Sequence, residues 1–182
     1  MDAIENVHRR LIRATAALEA AGVPYAVVGG NAVANWVSRV EKAAVRFTQD
    51  VDILLRREGF DSAKAALESA NFFHRHAGGL DVFLDGPSGK ARDAVHVIFA
   101  NEKVRETEPV ANPDVTDSEA GDEYRVISLP ALVQIKLTAF RDKDRTHLRD
   151  LIDVGLIDSS WPTKFPAELG ARLQSLLDTP EG

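Results

Sequence analysis

Two short stretches hold the residues best suited to chemistry. Tyr25-Ala-Val-Val-Gly-Gly-Asn31 is an apolar run closing on paired glycines, and Thr48-Gln-Asp-Val-Asp-Ile-Leu54 carries two carboxylates two positions apart. On a strand, residues i and i+2 point to the same side and lie roughly 7 Å apart, so Asp50 and Asp52 can serve one metal cluster. Hard oxygen donors of this kind suit magnesium, which completes its octahedron with water and phosphate oxygens. In two-metal phosphoryl chemistry the ions stand about 3.5–4 Å apart, one activating the attacking hydroxyl and the other stabilising the leaving pyrophosphate. Gly29 and Gly30 permit close backbone approach to a phosphate, and a helix beginning there presents unsatisfied N–H groups to it. Taken singly, a glycine pair usually just reverses the chain and an Asp-x-Asp is usually a solvated face. Their order, with a helix between them, points to a nucleoside triphosphate and divalent metal.

The elements that must position these residues are legible from periodicity. Ile4, Val7, Leu11, Ile12, Ala14 and Leu18 recur at helical spacing, which predicts a helix from Asp2 to Ala21 stopped by Gly22 and Pro24. Tyr25 to Val28 is a short buried strand, and Asn31 to Val37 a helix that Asn31 is suited to cap. Val40 to Thr48 is polar enough to be a loop over the site. In the next strand Val51, Ile53 and Leu55 alternate with Asp50, Asp52 and Leu54, giving an apolar face and an acidic one. Ser62 to Ala70 reads as a helix, Phe72 to His76 and Leu80 to Leu84 as a hairpin around Gly78-Gly79, and Ala94 to Phe99 as a further strand.

Residues 101–122 shift to Glu, Pro, Asn, Asp and Ser, so the best internal boundary falls there, between a core at 1–110 and a C-terminal helical segment at 123–182. Tyr124 to Ile127 is read as an edge strand, and Pro130 to Lys143, His147 to Val154 and Pro166 to Leu177 as helices.

Composition narrows the function classes. With 28 acidic against 22 basic residues and a formal charge of −6, the chain offers no broad DNA-binding surface, although a local basic groove stays open. The lack of cysteine excludes disulfides and thiolate metal sites and agrees with a reducing cytoplasm, where the protein is expected. No apolar run approaches the ~20 residues of a membrane span, and the N-terminal segment lacks the apolar core of a signal peptide.

Val28-Gly-Gly-Asn-Ala32, Arg46-Phe-Thr-Gln-Asp-Val-Asp-Ile53 and the stretch from Ile135 to Asp153 together resemble the DNA polymerase beta-type nucleotidyltransferase superfamily. Within it the likeness is to minimal bacterial nucleotidyltransferases related to the AbiEii toxins and the small antibiotic nucleotidyltransferases. The resemblance implies an α/β (α+β) fold: a mixed sheet with helices on one face, a cleft on the other, and the C-terminal helical segment packed on the core. It also implies transfer of a nucleoside monophosphate from a triphosphate to a hydroxyl, with magnesium, or manganese in its place. Carried over by position, Gly29 and Gly30 would meet the phosphates with Asn31 and Thr48 beside them, Asp50 and Asp52 would hold metal, and Lys136 would contact phosphate. Active relatives usually place a third carboxylate on a later strand; alternation there puts His96 in that position. Imidazole can ligate a metal or act as a base, yet it suits transition metals better than magnesium. The alternative is therefore a catalytically impaired nucleotide-binding or regulatory module, such as half of a toxin–antitoxin pair. The acceptor, whether protein, RNA or small molecule, stays open, as does assembly with a cognate protein partner or as a homo-oligomer.

Other candidates have simpler readings. His74 and His76 have a spacing a zinc site could use but no evident third ligand, so exposed hairpin histidines are expected. The Arg141-Asp-Lys-Asp-Arg145 run reads as a solvated helix end, Asp150 and Asp153 as partners of Arg145 and Arg149, and Trp36 and Trp161 as core.

Overall fold

The computed structural model describes residues 2–182. Helix α1 (Ala3–Ala20) is capped by Asp2, whose Oδ1 accepts from the Ile4 N–H at 3.4 Å, and ends before Gly22 in the left-handed region. Then follow β1 (Tyr25–Val28), α2 (Gly29–Ser38), β2 (Val51–Leu55), α3 (Phe60–Ser69), the hairpin β3 (Phe72–Ala77) and β4 (Leu80–Asp85), and β5 (Val95–Phe99). Two short strands, β6 (Ser118–Ala120) and β7 (Arg125–Ile127), lead to helices α4 (Leu129–Ala139), α5 (Asp142–Asp153) and α6 (Ala167–Asp178).

All seven strands form one mixed sheet in the order β3-β4-β5-β2-β1-β7-β6. β2 runs antiparallel to β1 and parallel to β5, while β1 runs parallel to β7. Strand alternation divides the core. Val27, Val51, Ile53, Leu55, Val95 and Val97 pack against α1 and α3, whereas Ala26, Val28 and Leu54 pack with α2 and the C-terminal helices. The mixed α/β sheet expected from the sequence is therefore present. The C-terminal segment covers part of the face that carries Asp52.

Two expectations need correction. β7 is interior, lying between β1 and β6, because Ser118–Ala120 adds a strand outside it. Three residues within a polar connection carry no alternation by which that strand could be read. The helix expected from Pro130 through Lys143 breaks at Phe140, which takes a left-handed conformation (φ 49°). The break goes with an ion pair. In a straight helix residues eight apart are separated by roughly 12 Å, but here Lys136 Nζ reaches Asp144 Oδ1 at 3.0 Å. Reversing the chain at Phe140 makes that contact possible, and Asp144 Oδ2 also accepts from the backbone N–H and Nε of Arg141, at 3.1 and 2.8 Å. Arg172 of α6 then donates through Nη1 to the carbonyls of Leu137 and Thr138, the last turn of α4, at 2.8 and 2.9 Å.

Asp144, read as part of a solvated run, is in fact buried, with side-chain exposure of 1% against 4% for Lys136. Burial works to raise the Asp144 carboxyl, but the attraction of Lys136 and Arg141 outweighs it and holds the group below the ordinary carboxylate value. Removing one partner of such a pair strands the other charge, so Asp144→Ala is expected to cost about 3–5 kcal/mol in urea unfolding at neutral pH. A carboxyl depressed by folding contributes its stability above its unfolded value near ~3.9 and loses it as pH falls lower, so the gap between wild type and variant should narrow below about pH 4. A cost under about 1 kcal/mol at pH 7 would show that the pair does not hold the α4–α5 turn.

Candidate functional site

β1 and β2 pair with Val28 directly opposite Asp52, which brings the glycine turn and the aspartates together. Gly29 starts α2 at φ 66°, and a Cβ built on it would lie 2.8 Å from Asp52 Cγ and run into the Asp52 carboxylate. At Gly30 a Cβ would come within 2.8 Å of Thr48 Cβ. The glycines thus make room for the side chains of β2 and the loop before it, so that the Asp52 carboxylate lies against the start of a helix whose first N–H groups are free.

Asp50 lies one residue before β2, and its backbone is held on both sides. Asn31 Nδ2 donates to the Asp50 carbonyl at 2.7 Å, and the Asp50 N–H donates to Thr48 Oγ1 at 3.3 Å. Asn31 is therefore not the helix cap expected from its type. Val28 occupies the cap position without a side-chain hydrogen bond, and Asn31 ties α2 to the aspartate loop. The loop is also held from the C-terminal helices, since Arg46 grips Asp150 through Nε and Nη2, both at 3.0 Å. This overturns the expected pairing of Asp150 with Arg145 or Arg149. Phe47, between the two anchors Arg46 and Thr48, is 64% exposed.

The carboxylates face basic side chains from two directions. In the parallel β2–β5 register His96 stands beside Asp52, with Nδ1 3.5 Å from Asp52 Oδ1. The Asp52 contact raises the His96 pKa against the opposing effect of burial, with smaller help from the Asp50 charge and the Ala91 carbonyl. Lys143 Nζ, half exposed at the start of α5, lies 3.7 Å from Asp50 Oδ2. Lys136 feels the charge of Asp52, but its ammonium is bonded to Asp144, and burial is the largest influence in holding its pKa below the ordinary lysine value. Lys136 is buried against Asp144 and braces α5.

His147 escaped the sequence reading. It lies on α5 between Lys143 and Asp150, its Nδ1 is buried with no partner among the described residues, and burial together with nearby Lys136 lowers its pKa to about 4. It is neutral at physiological pH. A buried histidine on an amphipathic helix has no distinguishing sequence pattern; only the course of α5 beside the aspartate loop singles it out.

Two carboxylates together with substrate phosphate oxygens and water form an ordinary magnesium environment. The Asp52 carboxylate lies where a Gly29 Cβ would otherwise be, and the contacts to His96 and Lys143 are long ones. Asp50 and Asp52 therefore fit a magnesium ion, whereas His96 does not complete a hard-oxygen set. Among the described residues no group of three or more His, Cys, Asp or Glu side chains is gathered as a ready metal cage. The hairpin histidines are not free either: His74 Nε2 and His76 Nδ1 share Asp81 Oδ1 at 2.7 and 3.1 Å. Trp161 is buried, and the half-buried Trp36 donates its indole N–H to the Ile127 carbonyl at 3.0 Å.

A mixed sheet with a glycine-started helix beside one aspartate on β2 and another just before it is a nucleotidyltransferase-type fold, and solved structures share it. The structure resembles an antigenic nucleotidyltransferase-like protein from Paracoccidioides brasiliensis, with TM-score 0.62 and 16% identity over 96% of this chain and 88% of that one. It also resembles the antibiotic-resistance factor ANT(2'')-Ia in solution, with TM-score 0.55 and 14% identity over 98% and 92% of the two chains. The crystal structure of ANT(2")-Ia in complex with adenylyl-2"-tobramycin gives TM-score 0.50 at 16% identity over 98% and 99%. No curated protein matches by sequence. Residues 10–178 match the family described as nucleotidyl transferase AbiEii toxin, type IV TA system, and the chain belongs to that family. No helix among the described residues is long and apolar enough to cross a membrane.

Gly29→Ala tests the packing of the turn. An alanine there meets both the strain of a positive φ, of order 1–2 kcal/mol, and the Asp52 carboxylate. The variant should fold with a lowered thermal midpoint and a displaced Asp52, visible as a changed His96 imidazole signal in NMR. Unchanged stability together with an unchanged imidazole signal would show that the close approach is dispensable.

Proposed function

We propose that this chain transfers a nucleoside monophosphate from a nucleoside triphosphate to a hydroxyl acceptor, with Asp50 and Asp52 as the central carboxylates. The observation that supports this most directly is the β1–β2 register, which sets Asp52 beside the Gly29-Gly30 start of α2. The triphosphate lies on the free N–H groups of that helix start, where both hydrogen bonding and the helix dipole favour anions. Lys143, held only loosely by Asp50, is placed to turn toward phosphate oxygens. Magnesium held by Asp50 and Asp52 would supply the positive charge that polarises the reacting phosphate. The acceptor oxygen forms a bond to the α-phosphorus, the bond to the bridging oxygen breaks, and pyrophosphate leaves while the acceptor proton passes to a base. His96 stands beside Asp52 and, when neutral, offers an imidazole nitrogen for that proton. The same proposal takes in a cytoplasmic setting and, from the family's toxin–antitoxin description, a cognate protein partner.

A second reading rests on His96. If the carboxylate usual at that position is needed for turnover, the chain binds nucleotide without transferring it and acts as a regulatory module.

Asp52→Asn should retain the fold by circular dichroism and lose magnesium-dependent triphosphate binding by at least about tenfold in calorimetry, as expected when a charged ligand to the ion is removed. Equal binding by wild type and the Asp50→Asn, Asp52→Asn double variant would overturn the site assignment.

Position 96 separates enzyme from module. Labelled triphosphates are offered to wild type, His96→Asp and His96→Ala with magnesium or manganese. Transfer by wild type that is lost in His96→Ala supports an enzyme using the imidazole; inactivity of wild type beside gain of activity in His96→Asp supports the module.

A further inference from the structure

On the sheet face away from Asp52, α1 presents three arginines to a hollow of about 430 Å³. Arg9, Arg10 and Arg13 line it from the helix together with Asn6, Asp85 lines it from the end of β4, and Gln49 and Asp93 line it from the segments that lead into β2 and β5. Arg10 is a core residue, its side chain only 8% exposed, and its Nε donates to Asp85 Oδ2 at 3.1 Å. Arg13 donates to the other oxygen of the same carboxylate and lies over the Phe72 ring, 4.3 Å from its centroid. One carboxylate therefore answers two guanidinium groups, and Arg10 Nη1 and Arg13 Nε have no acceptor among the described residues. The surrounding charges do not make up the difference. Arg9 leans on Glu5 at 3.3 Å, and Asp93 on Arg92 at 3.7 Å.

Buried N–H donors are nearly always satisfied, and an arginine fork matches the oxygens of a phosphate better than any other group. We infer that this hollow is a phosphate-binding site in which Arg10 and Arg13 grip the anion and the amides of Gln49 and Asn6 add neutral donors. Attachment to Asp85 fixes both guanidinium planes before the ligand arrives, so little side-chain freedom is lost on binding. The site is separate from the proposed nucleotide site, since Asp52 projects to the face covered by α2, but Gln49 is the residue next to Asp50. Free phosphate and the phosphate of a phosphorylated molecule present the same oxygens to these donors.

The test uses the full ¹⁵N-labelled chain at constant ionic strength, following arginine Nε–Hε and side-chain amide signals. Sodium phosphate and glycerol 3-phosphate are titrated separately. Saturable shifts of Arg13 and Gln49 are expected, weakened about tenfold in Arg13→Gln and also reduced in Arg13→Lys, which keeps the charge and loses the fork. Tighter binding of glycerol 3-phosphate identifies a phosphorylated molecule as the source, and tighter binding of inorganic phosphate identifies the free ion. Asp52→Asn should leave these shifts unchanged, so this site can stand even if the proposed function fails. Absence of shifts at saturating phosphate, shifts equal to those given by chloride, insensitivity to both Arg13 variants, or loss in Asp52→Asn would each overturn the inference.

Discussion

The site depends on one close approach, that of the Asp52 carboxylate to a backbone without a side chain at Gly29. The antiparallel register of β1 and β2 sets Val28 opposite Asp52, and any Cβ on the next residue would collide with the carboxylate. A carboxylate so placed lies where a helix start would otherwise favour a ligand anion. The helix dipole stabilises Asp52, and on the proposed function a phosphate would share that field with the aspartate, which intervening positive charge would reconcile. Lys143 supplies part of that charge within the chain, 3.7 Å from Asp50 Oδ2, and the His96 imidazole stands 3.5 Å from Asp52 Oδ1.

Much of this was legible in the sequence because it rests on local rules. The two-residue period of β2 and β5, the helical period of α1 and the glycine punctuation recovered the strands and the aspartate pair, and the family motifs supplied the mixed sheet. What escaped was non-local. Asn31 has the right chemistry for a helix cap, yet its amide donates to the Asp50 carbonyl across 19 residues. Arg46 and Asp150, separated by 104 residues, are matched only once α5 is folded over the loop. Alternation correctly placed His96 with Asp52 on one side of the sheet but gave no means of seeing that the two would touch.

The C-terminal helices show why a charged run resists sequence reading. Arg141-Asp-Lys-Asp-Arg145 looks like solvated surface because charges usually are. Its members diverge in environment: Asp142 is exposed, Lys143 is half exposed against Asp50, and Asp144 is buried between Lys136 and Arg141. The left-handed Phe140 separates these fates, since it reverses the chain so that Asp144 turns inward while Lys143 faces the aspartate loop. A continuous helix could not have brought residue 144 back to residue 136.

The same geometry couples the two halves of the chain. α5 reaches the loop before β2 at two points, Asp150 to Arg46 and Lys143 to Asp50, with neutral His147 between them on the helix. The Arg46 contact is bidentate and at ordinary hydrogen-bond distance; the Lys143 contact is single and long. The first fixes the position of the loop, while the second ties it only weakly to the helix. On the proposed function, a rigid attachment beside a weaker one would let the aspartates keep their backbone geometry while Lys143 turned to a highly charged substrate.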